Sequence, residues 1–439
     1  MSSAIVIGMF GMGNVGKGVV QLLEKNQSII EKRVGKPVRI TKAVVSNLTK
    51  DRGIDVADIQ MSADPGHILD DPDIDIVLEL IGGLEVAETI ILKALEKGKS
   101  VVTANKALLA ERGRAIFQAA HDAAGCFGFE TSVGAAIPII RTLREGFAGD
   151  DIYKISGIMN GTSNYILSRM SREGSSFDET LQKAQEIGLA ETDPTLDIEG
   201  IDAAHKLIIL MNITFNGVFD FKQLYTEGIT NITADDINYT EQLGYTIKHI
   251  GKCRKSELGT EARVHPALVP KDHILSSVNG AFNAISVFGE FMGPANLQGL
   301  GAGPGPSAVG VIGDVIEAAR YILTGQQRPI SPFSIPLEKW QPVDIVPMSR
   351  IKSEYYLRFN VLDRLGVLSS ISKILAECRI SVRSVIQKGQ TNKIEEPVNI
   401  VIITHEAVEA DVQEALLKIN QLPFIAGRTQ LIRIEADKE

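Results

Sequence analysis

Three observations predict an α/β chain in three parts: a doubly wound parallel sheet, an α+β segment, and a small ferredoxin-like unit at the C-terminus. The chain opens with an apolar run, a glycine-rich turn and an amphipathic helix, and strand–helix units of similar length repeat behind it. Five prolines between Pro329 and Pro347 then interrupt all periodicity. Beyond them the apolar pattern reads β-α-β-β-α-β. The breaks give expected boundaries of 1–131 for the first part, with 300–328 packing back on it, 132–328 for the second, 329–350 for a linker and 351–439 for the last.

Bulk properties narrow the function. A chain of 439 residues with 44% hydrophobic and 23% charged residues is globular and long enough for two or three domains. The net charge of −9, with no basic run, argues against a nucleic-acid partner. Cys126, Cys253 and Cys378 lie far apart, which fits a reducing cytosol and gives neither a disulfide framework nor a structural zinc. Met1-Ser2-Ser3 leads straight into a strand-like run, and no apolar stretch approaches the roughly 18 residues of a membrane span. The expectation is a cytoplasmic protein with no membrane contact.

Ala4 to Met9 reads as a buried strand, followed by Phe10-Gly11-Met12-Gly13-Asn14-Val15-Gly16 and by Val19, Val20, Leu22 and Leu23 at helical spacing. Strand, G-x-G-x-x-G and helix in that order predict a Rossmann-type dinucleotide site. Gly11 permits the tight turn, Gly13 lets backbone approach a pyrophosphate, and Gly16 lets helix and strand pack closely. The second strand, Ile40 to Val45, ends at Ser46-Asn47, where a strict NAD enzyme would place an acid. Lys50 and Arg52 follow; they suit a 2′-phosphate and favour NADP, with NAD open, or they form a solvated turn. Strand Ile74–Leu80, turn Gly82-Gly83, helix Val86–Leu95 and strand Ser100–Thr103 continue the alternation. Lys106 stands just past that strand, at the edge where open α/β sheets bind ligands.

Phe127 to Glu130 reads as a strand ending in a carboxylate, and Thr131 to Pro138 as a Gly/Ala-rich turn. Such a turn offers oxygens to a hard cation, or it is a crossing loop with a buried acid. Strand Ile152–Ile158 leads to Asn160, Thr162 and Ser163 at a helix start, which receives a small carboxylate or is simply capped. The stretch Glu186 to Met211 carries Glu191, Asp193, Asp197, Glu199 and Asp202 in a loop broken by Asp193-Pro194 and Gly200, whose carboxylates are expected to converge. From Ile201 the pattern is helical, which puts Asp202 and Lys206 on one face, and Leu207 to Met211 is apolar all round. A lysine at the mouth of a buried segment, beside a carboxylate, suits proton transfer; a solvated salt bridge is the alternative.

Strand-like alternations at Ile229–Ile232 and from Arg263 suggest a second domain, and a glycine loop, Leu300 to Ser307, precedes a helix over Ala308–Leu323. His265 and His273 lack metal-type partners and read as structural. After the linker come strand Tyr355–Val361, helix Leu368–Cys378, strands Ser381–Gln387 and Val398–His405, helix Val408–Leu422 and strand Thr429–Glu435.

Five motifs in order make the pattern specific: F-G-x-G-x-V-G from Phe10, A-N-K at Ala104–Lys106, E-T-S-V-G-A-A-I-P-I-I from Glu130, G-I-M-N-G-T-S-N-Y-I-L from Gly157, and E-x-D-P-x-x-D-I-E-G-x-D-A-A-x-K from Glu191 to Lys206. Together they resemble homoserine dehydrogenase across residues 1–330. The resemblance implies NAD(P)-dependent interconversion of L-aspartate 4-semialdehyde and L-homoserine, on the route to threonine, methionine and isoleucine. It implies that Lys206 is the proton donor and acceptor, with Asp202 beside it, and that Glu191, Asp202, Asp197 and Lys106 serve the substrate. Phe10, Gly11, Gly13, Asn14, Val15, Gly16, Lys106, Gly188 and Gly303 match cofactor positions, and Glu130, Val133, Ala135 and Ile137 a sodium site. Residues 132–328 take substrate-binding, catalytic and dimerisation roles, in a homodimer or homotetramer. Asn14 stands where the family usually has Thr, and Ser46-Asn47 where it usually has Arg-Asp.

Leu362-Asp363-Arg364-Leu365-Gly366-Val367-Leu368 resembles the start of an ACT domain, with Leu365 in place of the common proline. That resemblance implies feedback control, with threonine as the effector, or else a purely dimerising role. Aspartate-semialdehyde dehydrogenase is a neighbouring reading, but it needs a cysteine nucleophile, and Cys126 sits in an apolar approach with no obvious base. An amino-acid-sensing regulatory protein with an inactive dehydrogenase half is the other alternative; intact Lys206, Asp202 and Glu191 argue against it.

Overall fold

Short apolar runs become strands when both of their faces are covered, and the first third of the chain is built that way. The computed structural model describes residues 4–325, 335, 339–387 and 397–435. β1 (Ile5–Phe10), β2 (Val38–Val44), β3 (Gln60–Ser62), β4 (Ile76–Glu79), β5 (Ser100–Thr103) and β6 (Phe127–Gly128) form a parallel sheet in the order β3-β2-β1-β4-β5-β6. Its connections include α1 (Asn14–Lys25), α2 (Gln27–Val34), α3 (Glu85–Glu96) and α4 (Lys106–Asp122). Strand order reverses between β1 and β4, so the crevice at their carboxyl ends is the expected ligand position.

The chain continues through β7 (Ile152–Ile158), α5 (Gly161–Glu173), α6 (Phe177–Glu186) and α7 (Ile201–Thr214). α8 (Ala234–Gln242) precedes two antiparallel hairpins, β8 (Tyr245–Ser256) with β9 (Gly259–Pro270) and β10 (Phe282–Gly289) with β11 (Gly293–Leu300). α9 (Pro304–Thr324) follows. The C-terminal part is β12 (Lys352–Leu362), α10 (Val367–Glu377), β13 (Val382–Gln387), β14 (Pro397–Thr404), α11 (Glu409–Ile419) and β15 (Gln430–Ile434), the β-α-β-β-α-β order of an ACT domain. Residues 388–396 and 436–439 of the expected last domain, and much of the linker from Pro329, lie outside the described residues.

The chain divides into two compact units, Met1–Gly161 with Asp202–Phe221 and Phe282–Val343, and Thr162–Ile201 with Lys222–Ala281 and Asp344–Glu439. In the first, β10 pairs with both β7 and β11. There α9 returns to α1: a side chain at Gly18 would run into the Pro304 carbonyl, so only glycine permits the approach. Met9, Val19, Leu23, Ile76 and Leu78 share a core with Ala308, Val311 and Val315 of α9.

In the second unit the ACT sheet and the β8–β9 hairpin are continuous, in the order β8-β9-β15-β12-β14-β13. β12 is buried on both faces. Tyr355 packs with Ile371, Leu375 and Val412 of α10 and α11, while its neighbour Tyr356 packs with Ile166, Met170 and Ile237. Two helices here start in capping boxes, Ser176 with Glu179 and Thr233 with Asp236.

Two expected strands differ. Ile229 to Ile232 is a turn, not a strand: Ile232 donates to the Ile229 carbonyl at 3.1 Å, and both isoleucines anchor the turn in the core before Thr233 caps α8. The strand expected to reach Glu130 stops at Gly128, because the chain there coils into a short helix, Thr131–Gly134.

Candidate active site

α7 carries the centre of the site. From Asp202 to Ile213 every one of its residues is buried, as the apolar run after Lys206 requires. One turn of helix separates Asp202 and Lys206, and Lys206 Nζ donates to Asp202 Oδ2 at 2.8 Å. The same ammonium donates to the Met159 carbonyl at 2.8 Å. A lysine has three N–H donors, so one remains without a partner among the described residues. Asp202 Oδ2 also accepts from Asn160 Nδ2 at 2.8 Å, and Oδ1 lies 3.1 Å from Lys106 Nζ. Burial pushes the Asp202 carboxyl up, but Lys206, Lys106 and the hydrogen bonds outweigh it and hold it well below the usual carboxylate range. The result is a desolvated anion fixed between two ammonium groups.

Lys106 reaches that point because it is the first residue of α4, directly past β5, with Asn105 as N-cap accepting from Leu108 N–H. The neighbouring His205 is buried, with a ring nitrogen 3.2 Å from Glu111 Oε1 and its ring 4.6 Å from that of Phe221. Burial lowers its pKa, which leaves the neutral imidazole favoured.

At the crevice of the parallel sheet, a cavity of about 600 Å³ is lined by Phe10, Gly11, Gly13, Ser46, Asn47, Lys50, Arg52 and Ile81. Gly11 has φ +90°, and a Cβ there would lie 2.6 Å from the Leu80 carbonyl oxygen. Nothing would stand within 4 Å of a Cβ at Gly13, which leaves the first turn of α1 open to a ligand's phosphates. Asn14 and Val15 open α1, and Gly16 is buried against the Gly11 carbonyl. Arg52 is turned inward on its own loop, donating to the carbonyls of Asn47 at 2.6 Å and Lys50 at 2.7 Å. Gly303 is the N-cap of α9.

Glu130 is buried, and its two carboxylate oxygens accept the N–H groups of Ile140 and Arg141 at 2.8 Å each. Burial and the nearby Asp314 carboxylate push its pKa up to about 7. Val133, Ala135 and Ile137 are buried in the same loop, and Ala135 has φ +52°. In the second unit, Gly188 ends α6 with φ +71°, Glu191 is exposed and Asp197 is half-buried. The acidic loop does not bring all its carboxylates together. Asp193 instead closes its own turn on the Thr195 amide and hydroxyl.

Other members of the site carry no signal in sequence spacing. Asn160 appears there only as a cap residue, whereas its amide holds Asp202. Asn283, on β10, donates to the Met159 carbonyl at 2.9 Å and thereby steadies the acceptor of Lys206. Thr162 and Ser163 donate to the carbonyls of Leu189 and Asp197. The two histidines read as structural are bound that way: His265 lies between Arg263 Nε and the Pro266 carbonyl, and His273 accepts from Leu275 N–H.

Known proteins align with this arrangement along its length. The family model for homoserine dehydrogenase matches residues 138–316, that for the homoserine dehydrogenase NAD-binding domain residues 11–130, and that for the ACT domain residues 355–424. Homoserine dehydrogenase of Pseudomonas aeruginosa is 38% identical over 98% of this chain and 99% of its own. That of Bacillus subtilis is 37% identical over 99% of each. The solved homoserine dehydrogenase from Thiobacillus denitrificans is 41% identical, covers 98% of each chain and superposes with a TM-score of 0.92. The chain belongs to the homoserine dehydrogenase family, oxidoreductases that interconvert L-aspartate 4-semialdehyde and L-homoserine with NAD(P).

Proposed function

We propose that Lys206 exchanges the proton of this reaction, an assignment carried by its one unpartnered N–H. Met159 and Asp202 occupy two of the ammonium's donors, and the third serves the C4 oxygen of the substrate. As the aldehyde is reduced, negative charge grows on that oxygen and Lys206 supplies the proton; in the reverse direction the neutral amine takes it from the hydroxyl. The bound nicotinamide supplies or accepts the hydride. Asp202 orients both lysines, and it and Glu191 serve the substrate ammonium, with Asp197 in the same acidic loop and Lys106 on the substrate side. Phe10, Gly11, Gly13, Asn14, Val15, Gly16, Gly188 and Gly303 take cofactor contacts.

NADP is the preferred nucleotide in this reading. β2 ends without a carboxylate, Lys50 lines the cavity, and Arg52 braces the loop that presents it. A sodium ion at the loop after β6 belongs to the same reading. Its donors would be Glu130 and the carbonyls of Val133, Ala135 and Ile137, and its charge would offset a carboxyl that burial otherwise pushes up to about 7. The ACT domain takes an amino-acid effector, threonine first, and the enzyme works as a homodimer or homotetramer in the cytoplasm. No described helix is long and apolar enough to cross a membrane.

Steady-state oxidation of homoserine with each nucleotide, with and without threonine and with sodium or choline as the cation, tests these assignments together. Expected are a lower KM for NADP⁺, inhibition by threonine and a higher Tm in sodium. A Lys206→Met variant with wild-type kcat would remove the proton role from that residue.

A further inference from the structure

β4 ends on a carboxylate that the chemistry above does not use. Glu79 is fully buried, and among the described residues no cation pairs with it. A buried charge without a counter-charge persists only where hydrogen bonds replace its water. Glu79 Oε1 accepts the N–H groups of Ile81 at 3.0 Å and Gly82 at 3.3 Å, and Oε2 accepts the Thr103 hydroxyl at 2.6 Å. The Thr103 oxygen accepts Asn105 N–H at 3.0 Å, and Asn105 Nδ2 donates to the Gly83 carbonyl at 2.7 Å. These bonds close a ring through the two turns that follow β4 and β5.

One arc of that ring ends at the nucleotide cavity and the other at a group placed in the reaction. Ile81 and Gly82 line the nucleotide cavity, and Gly82 and Gly83 lie in the left-handed region, φ +71° and +74°, where the turn depends on partners for its shape. On the other arc, Asn105 caps α4, whose first residue, Lys106, stands 3.1 Å from Asp202. Packing alone would be met by an apolar side chain at the end of β4. The carboxylate adds a rigid link between backbone amides of one turn and the hydroxyl that seats the other.

We propose that Glu79 is a positioning residue: acting through Thr103 and Asn105, it sets the Lys106 ammonium in register with the turn that lines the nucleotide cavity. The proposal rests on the reading of Lys106 given above. A displacement of about 1 Å at reacting groups costs on the order of a hundredfold in rate, so a slackened ring is visible in kinetics before it is visible in folding.

The test is steady-state homoserine oxidation and thermal melting of the full-length enzyme carrying Thr103→Val, Thr103→Ser, Lys106→Met and the Thr103→Val/Lys106→Met double substitution. Thr103→Val keeps the shape and cuts the ring; kcat is expected to fall about tenfold and the nucleotide KM to rise, with Thr103→Ser restoring both. In the Lys106→Met background the kcat loss from Thr103→Val is expected to shrink below about twofold. Glu79→Gln, which keeps the acceptor for Ile81 and Gly82, offers a milder break with the same direction should Thr103→Val not fold. A lowered Tm with wild-type kcat and KM overturns the proposal, and so does an undiminished kcat loss in the double variant. If Lys106→Met alone leaves kcat and KM unchanged, the reading of Lys106 fails instead. The nucleotide KM of Thr103→Val then decides: a rise supports the ring, and no change overturns it.

Discussion

At the scale of single residues, spacing revealed half of the centre and register supplied the rest. Asp202 and Lys206 are legible because a helix puts residues four apart on one face. Asn160, the Met159 carbonyl and Asn283 are not, since they arrive from the end of β7 and from β10, and nothing in the sequence states that those strands pair. The arrangement predicts that Lys206→Met lowers kcat by about 10² to 10⁴ with little change in KM, checked by steady-state kinetics. Asp202→Ala leaves a buried ammonium without its anion and is expected to cost about 3–5 kcal/mol in urea unfolding. Away from the centre, Lys248 is buried, with Nζ donating to the Val278 carbonyl at 2.6 Å, and burial lowers its pKa to about 8. The folded protein therefore sheds this proton near pH 8, while the unfolded chain keeps it to its ordinary 10.5, so stability from this group rises with pH across that window. Urea midpoints of wild type and Lys248→Met across the window check the sign: the wild type is expected to gain on the variant as pH rises.

Elements were legible where period and punctuation agreed. The glycine loop and α1 follow from G-x-G-x-x-G, and β5 occupies the residues its pattern assigns, Ser100–Thr103. At Ile229 to Ile232 apolar residues three apart fit a core-anchored turn as well as a strand, and only the Thr233 capping box decides. The same box carries a prediction. Thr233 accepts from Asp236 N–H and from Arg358, so Thr233→Ala is expected to cost about 1 kcal/mol or more, read from the urea midpoint. The contact between α1 and α9 carries another. Gly18→Ala would collide with the Pro304 backbone, which cannot yield as a side chain would, and a loss of about 1–3 kcal/mol with a higher nucleotide KM is expected.

For the molecule as a whole, the sequence shows an ACT-type β-α-β-β-α-β run but not where it attaches. The attachment is made by backbone and charge together. β15 pairs in parallel with β9, and Arg433 on β15 bonds Glu409 at 2.6 Å and Glu227 at 2.7 Å, with its guanidinium 4.9 Å from the Tyr225 ring centre. Lys252 on β8 pairs with Glu435. Each of these contacts joins residues at least 24 apart in sequence, which is why no motif announces them. Arg433→Met strands buried Glu409 and is expected to destabilise the protein by about 3–5 kcal/mol, measured by urea unfolding of the full chain.

The seat of β15 has a temporal consequence. β15 follows the other described strands of this sheet in sequence, yet it lies between β9 and β12, in the sheet's interior. Until it emerges, both neighbours present open edges, so this sheet stays divided while β15 is still untranslated. Completion of this sheet therefore waits on the arrival of β15, whatever the pace at which its earlier members fold.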